Sequence, residues 1–233
     1  MNEELIRYHL DDGVATLTLN NGKVNAVSPA LLVRFNALLD QATEDKAVVV
    51  ITGQPGMLCA GYDLKIMKES KEASADLVTA GSTLSRRLLS HPYPVIVACS
   101  GHAIAKGAFL LLSADYRIGV EGAFKIGLNE VAIGMTMHDV GVALSSHRLH
   151  RSMFDRSVIT GEMFDPKGAL AAGFLDELAS SEALMTTVRT VADRLKSLDM
   201  VAHHNTKLKA RKALLEELDA GIQADRARKL SSP

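Results

Sequence analysis

Three places in the chain carry residue types that can stabilise a developing negative charge and move a proton. The first is Gly53-Gln-Pro-Gly-Met-Leu-Cys-Ala-Gly-Tyr-Asp-Leu64, the second is Gly101-His-Ala-Ile-Ala-Lys-Gly-Ala108, and the third is Glu130 in Ile126-Gly-Leu-Asn-Glu130. Each glycine-bearing segment follows an apolar run, Val48 to Thr52 or Val95 to Ala98, that reads as a buried strand. A glycine turn at the carboxyl end of a strand leaves backbone N–H groups pointing at a ligand. One N–H from each segment can clamp a carbonyl oxygen that turns negative during reaction, which suits chemistry on an acyl thioester or similar group. A glycine turn after a strand is commonplace alone; the pair, followed by a glutamate, points to a site.

The surrounding pattern supplies elements to hold such a site. Leu5 to Leu10 and Val14 to Leu19 read as two strands around the hairpin signal Asp11-Asp12-Gly13. Ser28-Pro29 starts a helix whose apolar face is Leu31, Phe35, Leu38, Leu39 and Ala42. A helix over residues 74–90, with Leu77, Gly81, Leu84 and Leu88 in register, is ended by His91-Pro92-Tyr93-Pro94. Ala103 to Ala114 is almost wholly apolar and predicts a helix buried on every side. Residues 115–120 and 123–126 read as short strands joined by Glu121-Gly122. Asp165-Pro166 caps a further helix, and Leu208, Leu214, Leu215, Leu218 and Ile222 predict one long amphipathic helix with a basic tail. The order implies an α/β core followed by helices.

Composition removes several function classes. With 233 residues, 47% hydrophobic, the chain can fill a sizeable core. A net charge of −1 without a basic block gives no reason to expect nucleic acid or a membrane surface as partner. No apolar run nears the ~20 residues a membrane span needs, and the N-terminus lacks a signal-peptide pattern, so a cytoplasmic protein is expected. Cys59 and Cys99 form neither a disulfide framework nor a Cys-x-x-Cys site, and no metal is expected. His203-His204 are read as surface histidines, because neighbours on a helix face different ways.

On these motifs the chain resembles the crotonase, or enoyl-CoA hydratase/isomerase, superfamily. The resemblance rests on Gly22-Lys-Val-Asn-Ala26, Gly56-Met-Leu-Cys-Ala-Gly-Tyr-Asp-Leu64, Gly101-His-Ala-Ile-Ala-Lys-Gly107, Ala114-Asp-Tyr-Arg-Ile118 and Ile126-Gly-Leu-Asn-Glu-Val-Ala-Ile-Gly134, in the family's order. It implies a spiral of ββα turns over residues 1–180 and a helical region over 181–233 that builds homotrimers, often paired into hexamers. It further implies an acyl-CoA or enoyl-CoA substrate, with coenzyme A part of that substrate and no separate cofactor.

Carried over by position, the two oxyanion donors are the backbone N–H groups of Tyr62 and Lys106. The family usually has glycine at the latter, and the Lys106 side chain is expected to snorkel to solvent. The resemblance places coenzyme A along Lys23, Val24, Ala60, Tyr62, Asp63, Leu64 and Lys65; a solvated surface role is the alternative for both lysines. Asn25 is read as stabilising its own turn, and Cys59 as packing.

Hydratases of this family carry two glutamates. Here the first position is Phe109 and the second Glu130. Adding water needs a held, deprotonated water and a proton for the α carbon, work shared by two carboxylates, whereas one suffices to move a proton from the α to the γ carbon. The pattern thus resembles the single-glutamate enoyl-CoA delta isomerases, with Glu130 as base and Phe109 and His138 as pocket residues. Hydration is the alternative reaction, with His138 as a second acid or base. Otherwise His138 marks a helix start capped by Thr136 or Asp139. A catalytically inactive acyl-CoA-binding protein is the alternative from another class.

Overall fold

The computed structural model describes residues 4–231, with side chains through residue 228. The chain opens with the antiparallel hairpin β1 (Ile6–Asp11) and β2 (Val14–Leu19). Then α1 (Pro29–Glu44) begins where the sequence places it: Ser28 Oγ accepts the Leu31 N–H, and Leu31, Phe35, Leu38, Leu39 and Ala42 are buried.

Three ββα turns follow. The first is β3 (Val48–Thr52), β4 (Gly56–Cys59), the single-turn α2 (Leu64–Met67) and α3 (Lys71–Leu89). The second is β5 (Val95–Cys99), β6 (Gly101–Ile104) and α4 (Lys106–Leu112). The third is β7 (Tyr116–Val120), β8 (Ile126–Gly127) and, beyond a 3-10 turn at Val131–Ile133, α5 (Asp139–Arg148). The remainder comprises α6 (Arg151–Val158), β9 (Met163–Phe164), α7 (Pro166–Ala172), β10 (Glu177–Ala179), α8 (Leu184–Lys196), α9 (Met200–Ala210) and α10 (Lys212–Ser231).

Among the described residues, the first strand of each turn joins a six-stranded sheet ordered β1-β2-β3-β5-β7-β10. The second strand joins a four-stranded sheet ordered β4-β6-β8-β9. The run Val48 to Ile51 lacks alternation because both faces of the long sheet are covered. Val49 and Ile51 join the core beneath α1, α3 and α4, while Val48 and Val50 pack with Leu184, Val188 and Val191 of α8. This is the spiral the resemblance implies.

Five local expectations change. The apolar stretch read as one helix from Ala103 is strand β6 first and helix α4 second, since a segment buried all round carries no periodicity to separate the two. The expected strand over 123–126 shrinks to the two-residue β8. Helix α3 starts at Lys71, where Ser70 Oγ accepts the Ala73 N–H. The long C-terminal helix breaks at Arg211, whose guanidinium turns to the Leu89 carbonyl at 2.9 Å and to Asp115 at 2.8 Å. Beyond the break, α10 lies across α3 and α5. Its Asp225 carboxylate accepts the amides of Asp139 at 2.7 Å and Val140 at 3.1 Å. The cap of α5 therefore comes from a remote carboxylate, not from Thr136 or Asp139, and it compensates the amino-terminal amides of the helix.

Candidate active site

The small sheet positions the site. β4 runs parallel to β6, pairing Gly56 with Gly101, Met57 with His102 and, past a register shift, Cys59 with Ala103. β6 runs parallel to β8, pairing Ala103 with Ile126 and Ile104 with Gly127. Three adjacent carboxyl ends therefore deliver Gly61-Tyr62, Ala105-Lys106 and Glu130 to one place, the side of a parallel sheet where ligands bind. The turns follow these short strands rather than β3 and β5, the strands read from the sequence. Asn25 ties the Gly22–Ala26 turn to the same sheet. It is fully buried, its Oδ1 accepts the Asn21 N–H at 2.9 Å, and its Nδ2 donates to the Leu58 carbonyl at 3.0 Å.

The two amides are presented differently. Val27 pairs with Tyr62 in a parallel bridge that uses the Gly61 carbonyl and the Asp63 N–H. The Tyr62 N–H therefore points to the opposite side. Gly61 makes this possible at φ 107°, a region L side chains avoid. The Lys106 N–H is the first of α4 and has no intrahelical acceptor. The turns abut: a Cβ built on Gly61 would lie 3.3 Å from the Ala105 Cβ and 3.9 Å from the Lys106 nitrogen. Two such amides can hold an oxygen that becomes negative.

Gly61, Tyr62, Ala105 and Glu130 line one cavity of about 170 Å³, with Ala60, Asn129, Thr136 and His138, and with Leu64, Met67, Val78, Ile133 and Met135 as its apolar wall. Glu130 is 7% exposed, and its Oε2 is buried with no hydrogen-bond partner among the described residues. Burial disfavours the charged form and pushes this carboxyl from 4.5 up to about 7. A carboxyl so placed can both take and return a proton near neutral pH.

Some of the other expected residues line the cavity and some do not. Ala60 and Leu64 are on the wall. Lys23 and Lys65 are exposed and lie outside the wall, as does Val24, whose carbonyl accepts the Ala60 N–H at 3.0 Å. Asp63 caps α2 through the Lys65 N–H at 2.9 Å. His138 lines the cavity, while Phe109 sits behind it: the rings meet edge to face, with centroids 5.3 Å apart. Phe109 is therefore backing to the His138 wall. Cys59 is buried and its thiol is pushed up to about 11, so it packs as a protonated side chain.

Two corrections concern cations and histidines. The Lys106 side chain does not snorkel to solvent. It is 1% exposed and runs inward to α3, where Nζ donates to the Gly81 carbonyl at 2.5 Å and to Ser85 Oγ at 2.6 Å. Burial pushes this ammonium down to about 7. His203 and His204 are half-buried on α9, not surface groups. Among the described residues, no group of three or more His, Cys, Asp or Glu side chains is placed to hold a metal. No helix there is long and apolar enough to cross a membrane. Sequence reasoning missed Asn129, whose buried Oδ1 has no partner among the described residues and which shares the cavity with Glu130. Adjacency to Glu130 was its only signal.

A family model described as enoyl-CoA hydratase/isomerase matches residues 9–231. The chain therefore belongs to that family, the crotonase superfamily, and is one of its α/β enzymes. A solved structure of an enoyl-CoA hydratase/isomerase family protein from Pseudomonas syringae superposes with a TM-score of 0.96 at 64% identity, covering 97% of this chain and 98% of that one. The mitochondrial enoyl-CoA delta isomerase 1 of Rattus norvegicus is 29% identical over 95% of this chain and 78% of its own length. A probable enoyl-CoA hydratase of Bacillus subtilis is 32% identical over 75% of this chain and 69% of its own. Similarity thus extends to proteins named for either reaction.

Proposed function

We propose that the protein isomerises β,γ-enoyl-CoA thioesters to their conjugated α,β isomers. The observation that carries this reading is the single Glu130 carboxyl, whose buried Oε2 has no partner among the described residues, in a cavity walled by Gly61-Tyr62 and Ala105, with Phe109 at the position where the resemblance puts the hydratases' other glutamate. The thioester oxygen accepts the Tyr62 and Lys106 N–H groups. Ionised Glu130 removes the α proton, and the C–H electron pair flows into the thioester to give a dienolate held by the amides, each donor contributing about 3 kcal/mol. Protonated Glu130 then delivers the proton to the γ carbon, the double bond settles between the α and β carbons, and Glu130 ends ionised as it began. No separate cofactor takes part. The exposed Lys23 and Lys65 are assigned the coenzyme A phosphates, which compact ammonium groups recognise as point charges.

A second reading, hydration of α,β-enoyl-CoA, draws on His138, which lines the cavity with Glu130 and could activate water. Assaying the protein with a β,γ-enoyl-CoA and with its trans-α,β isomer separates the two. Conversion of the first with little hydration of the second is expected, and Glu130→Gln lowers turnover by about two to four orders of magnitude. Hydration without isomerisation overturns the proposal. The assembly assigned is a homotrimer or hexamer, in which the exposed apolar Leu198 and Val201 near the start of α9 would be covered. A monomer in light scattering would remove that assignment.

A further inference from the structure

Both residues that present the amides send their side chains into the same turn of α3. The Tyr62 ring lies over Gly81, where an added Cβ would come 2.1 Å from the Tyr62 hydroxyl oxygen and 2.6 Å from its Cε1. The Lys106 Nζ donates to the carbonyl of that glycine and to Ser85 Oγ one turn later. Main chain faces the cavity and side chains face the helix. Between the amides stands Ala105 at φ 51°, ψ −115°, a sparsely populated conformation for a residue with a Cβ. The ψ of Ala105 sets the plane of the peptide that carries the Lys106 N–H, so whatever holds this angle aims the donor. The Ala105 N–H is held by the Gly127 carbonyl at 3.0 Å. On the far side of the angle, the Lys106 side chain is tied to α3.

A buried amine is costly even when hydrogen-bonded, and a hydrocarbon of the same length would fill the space at lower cost. Packing alone does not explain Lys106. We infer that the Gly81–Ser85 turn of α3 sets the spacing and aim of the two amides, and that Lys106 is a positioning residue for the reaction through its side chain, apart from the N–H it presents. The inference rests on the thioester reading above.

Lys106→Met keeps the main-chain N–H and the chain length and removes only the amine. It strands no partner, because the Ser85 hydroxyl can turn back to the Gly81 carbonyl four residues earlier. Three quantities are measured on the full chain. They are kcat and KM for a β,γ-enoyl-CoA, the enolate absorbance of bound acetoacetyl-CoA, and the thermal midpoint. Lys106→Met is expected to lose about ten- to a hundredfold in kcat with KM within about threefold. Its enolate signal should fall and its midpoint hold or rise. Ser85→Ala, which leaves the Gly81 contact, should fall between that variant and the parent, and it decides the matter if Lys106→Met does not fold. Parental kcat and enolate signal in Lys106→Met, or in Ser85→Ala where that variant alone folds, overturns the inference and leaves the isomerase reading intact. An enolate signal in the parent without turnover overturns the isomerase reading alone, and the variants' signals still decide the inference. No enolate in the parent overturns both.

Discussion

The Tyr62 ring occupies the space that any side chain at residue 81 would need, its hydroxyl oxygen 2.1 Å from where a Cβ would stand on Gly81. Glycine inside a helix is ordinarily a weakness, about 1 kcal/mol worse than alanine. Here the missing side chain lets the ring pack on α3 while the Tyr62 N–H faces the cavity. Gly81→Ala is therefore expected to lose stability, by about 1–3 kcal/mol of overpacking. Its turnover should drop by about tenfold or more, because a donor displaced by a fraction of an ångström is poorly aimed. Calorimetry and steady-state kinetics check both. A more stable, fully active variant would show that the ring has somewhere else to go.

Under the proposed mechanism, the pH dependence of the reaction follows from Glu130. Burial holds its carboxyl at about 7, and the base must be ionised to accept the α proton. kcat/KM should rise about tenfold per pH unit below neutrality and level off above about 7. The relevant measurement is a pH–rate profile of the isomerisation. A profile that breaks near the ordinary carboxylate range, or stays flat through neutrality, would mean that Glu130 is not buried in the working enzyme.

Local signals marked some of this architecture and left the rest unmarked, for physical reasons. Ser28-Pro29 and Asp165-Pro166 announced their helices, and both caps are made, Asp165 Oδ1 accepting the Gly168 N–H at 2.7 Å. The β-branched runs of β3 and β5 announced buried strands. The strands that carry the site did not. β4, β6 and β8 are four, four and two residues long, too short to show a period. Their identity comes from pairing with one another, which is tertiary information. The two glycine turns and the later glutamate were legible as a set, but their placement on these short strands was not, and the donor positions at Tyr62 and Lys106 came from motif resemblance. The inward course of Lys106 was hidden for a related reason: its acceptors lie on α3, more than twenty residues earlier.

Phe109 marks the limit of reading a reaction from one position. The resemblance puts it at the position of the hydratases' first glutamate, yet it is 3% exposed and stands behind His138 rather than on the cavity wall. Phe109→Glu should therefore fail to create a hydratase. The new carboxyl would be buried against the His138 ring and away from water. The fold should lose about 3 kcal/mol or more from the missing ring contacts and the buried polar group. Hydration of a trans-α,β-enoyl-CoA and a denaturant titration test this. A gain of hydratase activity without loss of stability would show that the His138 ring swings aside and opens the position to water.

The same burial that tunes Glu130 must cost stability, and the sign can be worked out. The carboxyl titrates at about 7 in the folded chain against 4.5 when exposed. Below 4.5 both states hold the proton, and the folded state bears no charge penalty. As pH rises from there to about 7, the unfolded chain releases its proton while the folded chain keeps it, so stability falls. Above about 7 the loss is complete, on the order of 3 kcal/mol at 1.36 kcal/mol per unit. Glu130→Gln places a neutral side chain of the same shape in the cavity and removes the penalty. Thermal midpoints of variant and parent should coincide near pH 4 and separate as pH rises, the inactive variant becoming the more stable by several degrees at about pH 8. Midpoints that stay together across this range would mean that the Glu130 carboxylate is solvated in the folded protein, and its role as a poised base would go with that result.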